Sequence, residues 1–164
     1  MATHPFLQDD ALYTHTDHLP PVTPDLIRQR WTAHEGRVSP AGSEALLGWT
    51  VLNADDGTPM GWVDATLAAA KKPGGAIQAT NLGYLMLMRT RGQGIATEAA
   101  GAVVEHLFGN GIQSICATVT VGNLASARVL QKLGFEQIAM LPRNGMARGV
   151  HVDEWAFGLT RQTA

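Results

Sequence analysis

NLGYLMLMRTRGQGIATEAAGAVVEHLF, residues 81–108, carries the strongest local pattern in the chain. Residues 82–88 are an almost unbroken apolar run, too short for a helix of its own and bounded by turn chemistry. That predicts a strand covered on both faces. Residues 89–94 break the run. From Gly94 onward Ile95, Ala99, Ala102, Val103, Leu107 and Phe108 recur at helical spacing, with Glu98 and Glu105 on other faces, until Gly109 and Gly111 stop the helix. The first amides of such a helix have no partner inside it. Together with the positive end of the helix dipole they make the turn a site for phosphate or another anion, and glycines let a ligand approach the backbone closely. Arg89 and Arg91 add charge beside it.

Three glycine-rich strand-to-helix turns compete for this stretch, and spacing separates them. A Walker loop needs G-x-x-x-x-G-K-[ST], and the sequence contains no such string. The dinucleotide fingerprint needs glycine or alanine where Thr97 stands, and an acid about 20 residues on, whereas residues 107–120 contain none. What remains is R-x-x-G-x-G, spelled Arg89, Thr90, Arg91, Gly92, Gln93, Gly94. It resembles the acetyl-CoA pyrophosphate loop of the GNAT N-acetyltransferases. A second stretch, VGNLASARVLQKLGFEQI at residues 121–138, is similar to the N-x-x-S helix and L-G-F strand start of that family's ribosomal-protein alanine acetyltransferase branch. The two motifs stand in the family's order, and the resemblance spans residues 23–161.

Length and charge set wide bounds. The chain has 164 residues, 45% hydrophobic and 16% charged, with a net charge of −2, which is enough apolar content for one domain with a real core. There is no lysine-arginine block to serve as a nucleic-acid footprint, no apolar run of membrane-spanning length, and no signal-peptide pattern at the start. The single cysteine, Cys116, reads as a reduced core residue on a strand, and a cytoplasmic location is expected. His15 and His18 form an H-x-x-H pair with no third ligand nearby, so no metal site is predicted.

The whole of residues 1–164 reads as a single domain, in which residues 1–22 are the least legible segment, with a short helix near residues 7–13. Thr23 caps and Pro24 opens a helix carrying Leu26, Ile27, Arg30 and Trp31 as far as Gly36. Residues 46–53 and 59–68 flank the polar turn at residues 55–58 as a hairpin, with Trp49 and Trp62 packing from its strands. KKPGG at residues 71–75 is a loop tip. After the central helix come a strand at residues 112–120, a helix at residues 124–133 ended by Gly134, and strands at residues 135–140 and 152–159 joined by the loop PRNGMARG.

The resemblance implies an α/β (α+β) fold: a mixed central sheet flanked by helices, with the strands at residues 82–88 and 112–120 parallel. Family members open with a strand before the first helix, whereas this chain begins inside or after that element. The edge so left calls for cover by the N-terminal segment or by a second copy in a homodimer. The implied cosubstrate is acetyl-CoA, and the implied acceptor is a small-molecule or peptide amine. Its pyrophosphate would lie on Arg89, Arg91, Gly92, Gln93, Gly94, Ile95 and Ala96, and its arm against backbone groups of Leu87, Met88 and Arg89, where an amide would also stabilise the oxyanion. Ser126 resembles the serine that faces the leaving thiolate. Asn123 either caps the following helix or bonds the cofactor arm, and Arg128 either reaches a phosphate or lies on a solvated face. In that branch a glutamate after the L-G-F strand resembles the base, and a gap-free match puts Gly145 there. The base is thereby left open, with Asp64 and Glu154 as replacements. Attack is expected to be direct, since a strand cysteine with no basic neighbour has little reason to be a thiolate. The competing expectation is a non-catalytic acyl-CoA-binding module on the same fold.

Overall fold

The computed structural model describes residues 7–17, 20, 23–35, 37–39, 42–68 and 77–161. The loop tip at residues 71–75, His18, Gly36 and the side chains of Ile27, Arg30 and Trp31 lie outside that description. Thr23 accepts the Leu26 amide at 3.3 Å and Pro24 takes the first position of α1 (Pro24–Glu35), as the capping pattern predicts. The hairpin follows as β1 (Glu44–Leu52) and β2 (Pro59–Ala68). Its turn is tied by its own side chains, Asn53 accepting from the Asp55 amide and Asp56 from the Thr58 amide, both at 2.8 Å.

The central unit comes next: β3 (Gln78–Met86), a single 3-10 turn (Met88–Thr90), and α2 (Ile95–Gly109). Then follow β4 (Ser114–Thr120), α3 (Leu124–Lys132), β5 (Glu136–Ala147) and β6 (Val150–Thr160). The sheet order is β1-β2-β3-β4-β6-β5, antiparallel except where β3 and β4 run parallel across the α2 crossover. Within the described residues β1 is an edge strand, with one isolated bridge between Val38 and Ala45 beside it.

Each face of β3 has its own cover. On the helix side Leu82 and Met86 join Val103, Leu107, Leu130 and Phe157 in the main core. On the other side Leu87, immediately after β3, packs under Leu7, Leu12 and Tyr13, with Trp62 and Leu85 against them. Trp49 packs on the main core and meets His106 edge-on, their ring centroids 6.0 Å apart.

Two expectations change. Of the helix expected near residues 7–13, Leu7 is helical and Asp10–Tyr13 form a separate 3-10 turn capped by Asp9. The loop expected at residues 142–149 is mostly strand, because β5 continues to Ala147 and turns only at Arg148 and Gly149, both at positive φ. Pro142, Asn144 and Gly145 are poor strand formers, but β6 offers an antiparallel partner and a register shift between Leu141 and Gly145 absorbs the misfit, with Arg143 at φ 52°.

Candidate active site

Two helix N-termini lie on the core side of the sheet, and they differ in what their amides already hold. At α3 the Leu124 amide donates to the Gly122 carbonyl at 2.9 Å and the Ser126 amide to Asn123 Oδ1 at 3.2 Å, so Asn123 is the cap. At α2 the Arg91 amide donates to the Met88 carbonyl and the Glu98 amide to the Gly94 carbonyl. Between them, the amides of residues 92–97 have no protein acceptor among the described residues. Gly92 and Gly94 sit at φ 76° and 82°, and a Cβ on either would stand in open space. The turn therefore presents a row of unspent donors at the positive end of a 15-residue helix.

Beside this turn the sheet opens. The register of β3 on β4 holds a single pair, Ala79 with Ile115, whereas β4 pairs with β6 from Ser114 to Thr120. Tyr84 reaches across the opening to α3, its hydroxyl donating to the Ser126 carbonyl at 2.8 Å and standing 2.9 Å from Ser126 Oγ. A cavity of about 610 Å³ starts at the free amides, passes Tyr84 and Ser126, and emerges on the far face beside Thr118, Thr120 and Glu154. Residues 11, 12 and 14–16 line that far end. They are held there by Thr120 Oγ1 donating to the His15 carbonyl, the Arg148 amide to the Thr16 carbonyl, and the Gly149 amide to Asp17 Oδ1.

Of the residues expected from sequence, Arg91, Gly92, Gly94, Ile95, Ala96, Asn123 and Ser126 border this cavity. Gln93 turns its side chain back to the Arg89 carbonyl at 2.9 Å and leaves its amide unspent. The other three lie off it. Leu87 is buried in the second cluster, its amide donates to the Met60 carbonyl, and its carbonyl accepts from Thr90. The Met88 carbonyl is taken by Arg91, and the Arg89 guanidinium donates to the Pro59 carbonyl on the hairpin. The edge open to an arm is therefore that of residues 82–85, since the Met86 carbonyl accepts from Arg91 Nε at 3.4 Å. Asp64 also lies off the cavity, its carboxylate over Gly83, while Glu154 lies on it.

Sequence reasoning did not find Tyr84, Lys132 or the N-terminal residues. Lys132 had a signal, since it follows Arg128 by four residues and so shares its helix face. Tyr84 had none beyond its place in the apolar run.

Burial pushes the Tyr84 phenol up to about 12, the hydrogen bond to Ser126 offsetting part of the rise. It is a hydroxyl donor at any working pH. The linkage has a definite sign: above pH 10 the unfolded phenol ionises while the folded one keeps its proton until about pH 12. Stability present below pH 10 is lost across that window, on the order of 2 kcal/mol. Urea titrations from pH 9 to 12 should show this extra loss in the wild type and not in Tyr84→Phe. Equal losses in both would mean that the phenol is not held as described.

No described helix is long and apolar enough to cross a membrane, and no three of the described His, Cys, Asp and Glu side chains gather as a metal site. Cys116 is a half-buried free thiol on β4, opposite Gly158 and off the cavity.

Comparison with known proteins adds three findings. Residues 1–136 match the model of the family described as the acetyltransferase (GNAT) domain. A probable N-acetyltransferase of Bacillus subtilis (strain 168), YjcK, is 38% identical over 86 residues. That match spans 52% of this chain and 48% of the relative, about half the length of each. Among solved structures, a ribosomal-protein-S5-alanine acetyltransferase from Vibrio fischeri superposes with a TM-score of 0.70 at 16% identity, covering 97% of this chain and 85% of that one. A spermidine N-acetyltransferase from Vibrio cholerae, in complex with CoA and spermine, does so with a TM-score of 0.72 at 14% identity, covering 97% and 88%.

Proposed function

Because the chain belongs to the GNAT acetyltransferase family, we propose that it moves an acetyl group from acetyl-CoA to a primary amine by direct attack within a ternary complex. One observation carries this reading: a single cavity connects the unspent amides of the α2 turn with the opposite face through the opening between β3 and β4. The amides of Gly92, Gln93, Gly94, Ile95 and Ala96 take the diphosphate, with Arg91 beside them and Arg128 and Lys132 on the neighbouring wall. Bonds from fixed donors to an ionised acceptor are stronger than neutral ones, and these donors need no rearrangement to make them. The unpaired edge of residues 82–85 receives the arm, and an amide there serves the oxyanion.

The contribution of the fold is mainly placement. Holding thioester and amine in line removes an entropic barrier worth up to about 7–11 kcal/mol in favourable model reactions. Ser126 is the proton donor to the departing thiolate, whose ordinary pKa of about 8.5 asks for only modest help. Tyr84 positions it: its hydroxyl stands 2.8 Å from the Ser126 carbonyl and 2.9 Å from Ser126 Oγ, and with the phenol proton turned to Oγ the serine's own proton is free for the thiolate. Asn123 acts through the cap rather than on the arm. Cys116 has no part, since it does not border the cavity.

The two solved neighbours act on very different amines, a ribosomal protein and spermidine. Among the described residues the acceptor end of the cavity offers one carboxylate, Glu154, amid threonine hydroxyls. That suits a singly charged amine better than a polyamine. The lone thiol suits a reducing compartment, so we read the enzyme as cytoplasmic, and the β1 edge is where a second copy would pair.

Thiol release from acetyl-CoA should depend on added amine, with a panel of monoamines turned over faster than di- and polyamines. Coenzyme A binding without turnover of any amine would point to a binding module instead.

A further inference from the structure

We propose that Glu154 is the group that takes the proton from the acceptor amine. The inference rests on the acetyl-transfer reading above and assigns the base that the sequence leaves open. Glu154 supplies the only carboxylate on the cavity among the described residues. It stands where the passage emerges on the face away from α2 and α3, so the amine and the thioester arrive from opposite sides of the sheet. The carboxylate is held in place: Asn144 Nδ2 donates to Glu154 Oε2 at 2.6 Å. That leaves Oε1 for the substrate.

Gly145 makes room for it. A Cβ at residue 145 would stand 2.7 Å from both Cδ and Oε1 of Glu154. The φ of Gly145 is not positive, so its backbone admits a side chain, and the carboxylate of Glu154 is what fills the space. Glycine at this position thus lets the carboxylate lie across β5, while Glu154 itself borders the cavity from β6.

The other titratable or charged groups on the cavity among the described residues are His15 from the N-terminal segment, Tyr84 from β3, Arg91 from the turn, and Arg128 and Lys132 from α3. The carboxylate of Asp153, the next residue along β6, accepts the Arg143 amide. Tyr84 stays protonated. The three cations have no lone pair with which to accept a proton. His15 is the one competing base among them, and it is an exposed side chain whose residue is held through its backbone carbonyl.

In the step, the ammonium of the acceptor gives a proton to a Glu154 carboxylate oxygen, and the freed lone pair forms the C–N bond to the thioester carbonyl. The C–S bond breaks, its electron pair leaves on sulfur, and Ser126 Oγ–H supplies the proton that makes the thiol. The nitrogen's second proton passes to solvent, from which Ser126 regains its proton and to which Glu154 releases the one it took, and no oxidant or reductant is involved.

Glu154→Gln keeps the size of the side chain and removes its basicity. With acetyl-CoA and a lysine-like monoamine, kcat/KM for the amine should fall by about 10²-fold near pH 7. The loss should close as the pH approaches the amine's own pKa of about 10.4, because free amine then needs no base. The KM for acetyl-CoA should stay within about twofold. Gly145→Ala provides a second route: its methyl displaces the carboxylate, so it should cost about tenfold in a Glu154 background and nothing further in a Glu154→Gln background. A loss in Glu154→Gln that is the same at every pH, or no loss, overturns the proposal. So does the pH-dependent loss appearing in His15→Asn instead. A wild-type protein that acetylates no amine overturns it together with the reading it rests on, whereas a fully active Glu154→Gln overturns it alone.

Discussion

Phe157→Ala should lower the free energy of unfolding by about 3–5 kcal/mol, the largest stability effect expected from one truncation here. The ring is 1% exposed and sits on β6, between Ala117 of β4 and Gln137 of β5. Its loss leaves a void under the strand that ties the β5 hairpin to the rest of the sheet. A domain of this size holds roughly 5–15 kcal/mol in all, so the variant gives up a large part of its reserve. In thermal melts the midpoint should drop by roughly 10 °C. A change below about 1 kcal/mol would mean that neighbours collapse into the space and that β6 is not anchored by this ring.

Gly94→Ala should weaken coenzyme A binding by at least about tenfold while moving the melting temperature little. The two readouts separate because the position is strained but uncrowded. At φ 82° an alanine costs roughly 1–2 kcal/mol unless the backbone rotates. Rotation re-aims the amides of residues 92–96, on which the proposed diphosphate contacts depend. The added methyl meets no protein atom within 4 Å, so it intrudes on the bound ligand rather than on the fold. Calorimetric titration of the wild type and the variant with coenzyme A is the measurement. Equal affinities would remove the turn from the binding site, whatever the melting temperatures did.

The central unit was legible in the sequence because each of its parts obeys a local rule. An apolar run marks β3, two glycines mark the turn, and a 3.6-residue period marks α2. The caps at Thr23 and Asn123 were legible for the same reason. What escaped was set by distant partners. Residues 142–147 carry the composition of a loop and are a strand because β6 lies beside them. Leu7, Leu12 and Tyr13 are too few to show a period, yet they cover Leu87. Arg89 stands in the motif beside Arg91, but the hairpin carbonyl at Pro59 claims it. The fit of Glu154 over Gly145 joins residues nine apart on two strands, and no spacing rule connects a missing side chain with the one that takes its place.

The way β3 and β4 part has a mechanical consequence. The sheet is effectively two three-stranded leaves, β1-β2-β3 and β4-β6-β5, bound by a single rung at Ala79 and Ile115. Residues 7–17 touch both leaves, with apolar contacts to Leu87 and Trp62 on one and hydrogen bonds with Thr120, Arg148 and Gly149 on the other. They act as a clasp across the free margins. The clasp on one face and the core under α2 on the other are therefore what hold the two leaves at their separation.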